Sequence, residues 1–305
     1  MRRNTPYHEG ELRAQQLSGV QSWTHELEEL PDFLDPGIQY FVAEQTLAAC
    51  GSVDDRGRVW ASVLVGEPGF LSAGDRVLAL HLDRMACHGD DPLWRNLESP
   101  LGVGLVVIHL ASRQRVRING RLERRSGDVV YIAVNRAYQE CPKYIAPRQI
   151  APPTADEKRP VAASRRGERL DAARRDLIQR VETCFVASSH AKQGPDASHR
   201  GGHPGFIEIV DDRTVRMPDF YGNGIFSTFG NILIDPAAAM VLLDFERGCT
   251  LQLTGRAEIQ WRGDDPKNLT RGTSRFWQIQ IDEWIEIDVP SLSRAVRARR
   301  AMLGL

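Results

Sequence analysis

A chain of 305 residues can form two domains of ordinary size, each burying a core of its own. Its 39 Lys and Arg offset 40 Asp and Glu, so no global basic field exists to draw nucleic acid. The longest apolar run, 101–110, is too short for a bilayer and holds His109, which predicts a cytoplasmic protein with no membrane partner.

The elements follow in chain order. Leu12, Leu17, Val20, Trp23, Leu27 and Leu30 fall near helical spacing and predict a helical lead-in over 1–37, broken by "PDFLDPG". Short β-type runs then recur at 40–43, 59–64, 76–82, 103–110, 115–118 and 129–134, a first β domain over 38–150. Pro, Ala and charge fill 151–169, a linker running into a helix near 170–180. A second β domain over 181–305 follows, with strands at 183–187, 206–210, 214–217, 239–245, 250–258 and 278–289 and a basic terminal helix at 291–303. Five widely spaced cysteines without a CxxC pair predict reduced thiols rather than a disulfide framework. Neither they nor His190, His199 and His203 repeat the spacing of a zinc motif, so no metal is expected.

The two β domains repeat each other. "GEPGF" at 66–70 matches "GHPGF" at 202–206, Asn96-Leu97 matches Asn231-Ile232, and "NGRLE" at 119–123 matches "TGRAE" at 254–258, all near an offset of 136. "FVA" at 41–43 and 185–187 would open each copy. Two stacked copies leave a groove between them, a common place for a ligand.

The copies differ chemically. At that offset Ser198, His199 and Arg200 stand opposite Ser62, Val63 and Leu64, which predicts one strong anion site per chain. Arginine suits a phosphate because its planar fork donates two parallel, charge-assisted hydrogen bonds. Gly201-Gly202 lets the backbone approach closely, so "GPDASHRGGHPGF" reads as a glycine-rich loop between strands. Downstream, Gly222 and Gly224 flank Asn223 and feed a helix over 225–234, whose free N–H groups would also favour an anion. Ser227, Thr228 and Asn231 share one face of it. Cys141 in "ECPKYIAPR" reads as a small buried residue, and Trp277 and Trp284 read as core.

The stretch 211–258, with its aromatic-x-Asn turn, hydroxyl-bearing helix, Asp-Pro and "TGRAE" strand, resembles the pyridoxamine 5′-phosphate oxidase-like, FMN-binding split-barrel family. "CPKYI" at 141–145 is similar to a segment that follows the barrel in some branches. The resemblance implies a mainly β (α+β) fold: two tandem split β-barrels, each a six-stranded Greek key with flanking helices. It implies FMN at their interface, in a monomeric pseudo-dimer or a homodimer. Ser198 and Arg200 would hold the phosphate with His199 beside it. Tyr221 and Asn223 would line the ribityl chain, Thr228 and Asn231 would face the phosphate, and Thr250 would reach the flavin. The authentic oxidase carries a lysine where Gly230 or Asn231 stands and an Arg-Gln pair where Cys249-Thr250 stands, which points away from vitamin B6 oxidation. The implied function is an FMN-dependent oxidoreductase acting on a small-molecule substrate or electron donor, with no catalytic residue legible. A haem- or deazaflavin-binding split barrel, or a degenerate barrel pair serving as a binding module, are the alternatives.

Overall fold

The computed structural model of the chain describes residues 5–20, 30–86, 89–98, 101–158, 164–222 and 224–297. Its first half runs α1 (Glu9–Ser18), α2 (Pro36–Ala43), β1 (Leu47–Val53), β2 (Val59–Val65), β3 (Leu71–Ala73), β4 (Val77–His81), α3 (Leu93–Asn96), β5 (Val103–His109), β6 (Gln114–Ser126) and β7 (Val129–Gln139). A connection carries β8 (Arg148–Gln149), β9 (Ser164–Gly167) and α4 (Ala172–Arg180). The second half runs β10 (Thr183–His190), β11 (Gly194–Gly201), β12 (Glu208–Ile209), β13 (Thr214–Pro218), α5 (Ser227–Ile234), β14 (Ala237–Asp244), β15 (Cys249–Gln260) and β16 (Phe276–Asp288). Then come α6 (Pro290–Ser293) and β17 (Val296–Arg297).

The main sheets are antiparallel and ordered β2-β1-β5-β6-β7-β4-β3 and β11-β10-β14-β15-β16-β13-β12. Each strand of the second path is the counterpart of one in the first. The seventh member of each path, β3 or β12, is a short edge piece. Register carries the correspondence to single residues: Leu47 pairs with Val65 across β1–β2, and Thr183 with Gly201 across β10–β11. The fold is mainly β, built from split barrels with flanking helices.

Four local readings of the sequence are corrected. The run at 40–43 is helical, because the Asp35 side chain accepts from Ile38 N at 2.9 Å and Pro36 occupies the first turn of α2. The opening strand is instead β1, "LAACGSV", whose small residues give little β signal. The "FVA" match is therefore not a structural one. "GPDASHRG" is the strand β11, not a loop, since its glycines and proline hid a segment paired along its whole length with β10. Finally, the tail forms only the four-residue α6 before Val296 and Arg297 pair with β8, so no helix continues there among the described residues.

Strand alternation divides the apolar residues among three cores. Ala48, Cys50, Leu64, Leu105 and Val107 point into the first half. Cys184, Val186, Met240, Leu242 and Trp277 point into the second. Leu47, Ala49, Val63, Val65, Val106 and Ile108 turn the other way and meet Phe185, Ala187, Val241 and Leu243 in a shared core between the halves. This seam places residues of one half against a site on the other.

Helix α1 packs across α5 through two glycines. A Cβ on Gly10 would stand 2.1 Å from Gly230 O, and one on Gly230 would stand 2.6 Å from Glu11 N. Because backbone atoms cannot yield as a flexible side chain can, Gly230→Ala should lower stability by about 1–3 kcal/mol. A urea midpoint equal to that of the unaltered chain would contradict this packing.

Candidate functional site

On β6, Val116 and Ile118 point into the first core, so Arg115 and Arg117 project to the seam and reach the second half. Arg117 is buried there. Its Nη1 donates to Asp196 Oδ2 at 3.1 Å and to Tyr138 Oη at 3.0 Å, while Nη2 lies 2.8 Å from Glu140 Oε1 and donates to Ser198 Oγ. Ser198 Oγ also accepts from Thr228 Oγ1 at 3.2 Å, which leaves the serine's single proton for another acceptor.

A cavity of about 100 Å³ opens beside these groups, bounded by β6, β11, the start of α5 and the segment after β7. Several donors around it lack partners. Arg115 Nε approaches Glu140 Oε2 at 3.5 Å without hydrogen-bond alignment, and its Nε and Nη1 have no acceptor. Arg200 donates Nη1 to His199 O at 3.1 Å, but its buried Nε has none. Both ring nitrogens of buried His199 lack partners, and its ring meets Phe185 edge-on at 5.5 Å. Burial, seconded by Arg115 and Arg200, pushes the His199 pKa well below the ordinary imidazole value. At neutral pH it therefore presents one N–H and one lone pair.

Asp219 is also buried, which raises its carboxyl pKa against the opposing pull of Arg200 and Arg275. Arg275 Nε donates to its Oδ2 at 2.9 Å. Tyr144 Oη donates to Tyr221 O at 3.0 Å, tying the first half's trailing segment to the turn before α5. Gly201 permits this closeness, since a Cβ on it would stand 2.2 Å from Tyr144 O. The lining holds five Lys and Arg against two carboxylates, an electropositive interior.

The start of α5 completes the cradle. Its N-cap, Phe226, has φ 64 and supplies no side-chain acceptor to the first-turn N–H groups. The corresponding place in the first half is closed from within. There Asp91 accepts from Leu93 N at 2.9 Å and Ser62 Oγ at 2.6 Å on one oxygen, and from Gln252 Nε2 at 2.6 Å on the other. Ser62 is the register counterpart of Ser198, and Gln252 of Arg117. A built-in carboxylate thus sits where the second half has none.

Of the residues singled out from the sequence, Ser198, His199, Arg200, Tyr221 and Thr228 line one cavity. Asn231 does not; its Nδ2 donates to Ser188 Oγ at 3.0 Å. Nor does Thr250, which shares the seam-facing side of β15 with Gln252 and is the register counterpart of Arg115. Asn223 lies outside the described residues. Arg115, Arg117, Glu140, Tyr144, Asp219 and Arg275 were not foreseen, although the repeat offset alone would have led from Thr250 to Arg115. Cys141 is half-buried at the cavity rather than enclosed. Trp277 and Trp284 are core residues.

A second cluster, His8, Glu9 and His190, brings three possible ligand atoms within 4.8 Å of one another. The imidazoles stack at 4.3 Å. Yet His8 Nδ1 accepts from Gly10 N at 3.1 Å, and His190 Nδ1 accepts from Gln193 N at 3.3 Å. A ring whose Nδ1 accepts in this way carries its proton, when it has one, on Nε2, the atom a cation would need. Burial first, then His190, lowers the His8 pKa to about 4, with Arg136 adding to this and Glu9 and Asn231 opposing. Because the unfolded chain takes up this proton near the ordinary value and the folded chain does not, His8 contributes stability above that value. That contribution is lost as pH falls toward 4. His8→Asn, which keeps an N-cap acceptor, should flatten the acid side of the urea-stability profile; an unchanged slope would refute the assignment.

Residues 170–296 match the family model described as Pyridoxamine 5'-phosphate oxidase. No curated protein matches the chain. Among solved structures, HupZ from Group A Streptococcus is similar at 21% identity over 37% of this chain and 89% of that one, with a TM-score of 0.30. An FAD-binding protein of Mesorhizobium loti is similar at 13% identity over 41% and 97%, TM-score 0.29. The FAD binding protein of Mycobacterium smegmatis is similar at 14% over 39% and 96%, TM-score 0.28. No helix among the described residues is long and apolar enough to cross a membrane.

Proposed function

We propose that the chain, whose residues 170–296 match the family model described as Pyridoxamine 5'-phosphate oxidase, is a flavin-binding oxidoreductase that holds FMN at the seam between its halves. The observation that carries this reading is the convergence of unpartnered donors at an uncapped helix start. Ser198 has a proton to give, Arg115 and Arg200 keep buried N–H groups unused, and the first turn of α5 has no acceptor of its own. Such donors are costly to bury unless an acceptor is supplied, and a phosphate supplies several at once.

Bound flavin would contribute two-electron redox chemistry. The chain's own residues would do the rest. Ser198, Thr228, Arg115 and Arg200 would hold the phosphate, and the Arg117–Asp196–Glu140 group would fix Ser198 in place. Tyr221, steadied by Tyr144, would cover the ribityl chain. Neutral His199 can exchange one hydrogen bond with a ligand polar group without changing charge. Asp91 fills the counterpart position in the first half, which limits each chain to one such site.

Denaturing freshly purified protein and reading the supernatant by absorbance and mass tests this directly. FMN or another flavin in roughly equal proportion to protein is the expected result. A colourless protein that takes up no added FMN would leave the degenerate-barrel reading in its place.

A further inference from the structure

Beside the inner cavity lies a wider one of about 660 Å³, and the two share Lys143, Tyr144 and Gly201 as a common wall. Its charge is one-sided: Arg113, Lys143, Arg148, Arg271 and Arg297 surround a single carboxylate, Glu182. Glu182 is already used, accepting from Arg148 at 2.7 Å and from Arg297 at 3.1 Å. Neither Arg113 nor Lys143 has an ion pair among the described residues. Arg271 stands beside the packed pair of Tyr144 and Phe220, 5.5 Å from the first ring and 5.2 Å from the second, a cationic and aromatic surface at the junction of the cavities.

Two backbone features bind the cavities into one arrangement. Arg115 and Arg117 share one side at the start of β6 and line the inner cavity, while Arg113, in the turn just before that strand, lines the outer one, so cationic side chains run from one cavity to the other. Among the described residues six non-glycines have positive φ, and four of them, Arg113, Tyr144, Phe226 and Arg271, line these two cavities. Left-handed backbone at bulky residues is costly and gathers where a site is built.

We propose that the outer cavity takes an adenosine diphosphate group, whose phosphates meet Arg113 and Lys143 and whose purine stacks on the Arg271–Tyr144 surface. The inference rests on the flavin reading for the inner cavity and names what binds next to it. Phosphates answer the excess charge, and a planar base answers the exposed guanidinium and ring faces. An adenosine diphosphate group can arrive as part of a flavin adenine dinucleotide that spans both cavities, or as part of a nicotinamide dinucleotide that brings electrons to a separate flavin.

The test titrates ADP, FMN and inorganic pyrophosphate separately into the full chain and into an Arg113→Asn/Arg271→Asn variant. Asparagine tolerates positive φ at both positions, and neither residue lines the inner cavity. Expected are ADP binding at least tenfold weaker in the variant, pyrophosphate weaker than ADP in the unaltered chain, and FMN affinity changed less than twofold. Equal ADP affinity in the two proteins overturns the proposal, as does pyrophosphate binding as tightly as ADP. Variant-sensitive ADP binding without FMN binding would uphold the outer site and remove the flavin reading alone. FAD and NADPH titrations then separate the sources, since only the dinucleotide that uses the outer cavity should lose affinity in the variant.

Discussion

Arg117→Met should lower the free energy of unfolding by about 3–5 kcal/mol, the cost of removing one partner from a buried ion pair. Burial works against the charge of Arg117, yet Asp196 and Glu140 outweigh it and hold the guanidinium protonated. Methionine fills much of the same volume but leaves Asp196 without its cation and Glu140 with only the more distant Arg115, and it strips acceptor duty from Tyr138 and Ser198. The sign of the pH dependence follows. Burial already raises the Asp196 pKa and Arg117 opposes it, so without Arg117 the value rises further. A group whose folded pKa is raised contributes stability below its unfolded value and loses it as pH rises. The deficit of the variant should therefore shrink at acid pH, and Arg117→Met/Asp196→Asn should recover part of it. Urea unfolding at pH 7.5 and pH 5 measures both effects; a deficit under about 1 kcal/mol at pH 7.5 would show that the pair is not the keystone of the seam.

Period-two apolar patterns made most of the longer strands legible, because each lies between its own barrel core and either the seam or solvent. What failed did so for local reasons. The run at 40–43 is rich in aromatic and β-branched residues, but Asp35 and Pro36 fix a helix start just before it. In β1 the reverse holds, as small residues suit a strand that packs tightly at the seam. The repeat was legible because sequence landmarks keep their offset wherever the two halves share a turn.

The site was legible on one side only. Ser198, His199, Arg200 and Thr228 come from the half that carries the recognisable motifs, and they line one cavity. The other wall comes from the opposite half, through a strand whose motif value is low: "QRVRING" is an ordinary basic strand until the seam aims its arginines across. A residue position that faces a site on the partner barrel cannot be read from its own barrel's register. In this chain the exchange sends Gln252 to Asp91 at the closed position and its counterpart Arg117, with Arg115, to the open one.

That exchange yields a prediction in which affinity and stability part company. Arg115→Ala should weaken FMN binding by about 1.5–3 kcal/mol, or tenfold to over a hundredfold, the range for losing a charge-assisted hydrogen bond. Its effect on stability should stay within about 1 kcal/mol, because Arg115 makes no aligned hydrogen bond and Glu140 keeps its closer partner Arg117. Thr250→Ala, at the matching register position of the other half, should leave FMN affinity within a few tenths of a kcal/mol. Riboflavin supplies the internal control, since it lacks the phosphate and should bind the unaltered chain and Arg115→Ala nearly alike. Quenching of flavin fluorescence reads all five affinities. If Thr250→Ala proved the more damaging substitution, the strand that serves the phosphate would be β15 and the pairing of halves across the seam would have to be redrawn.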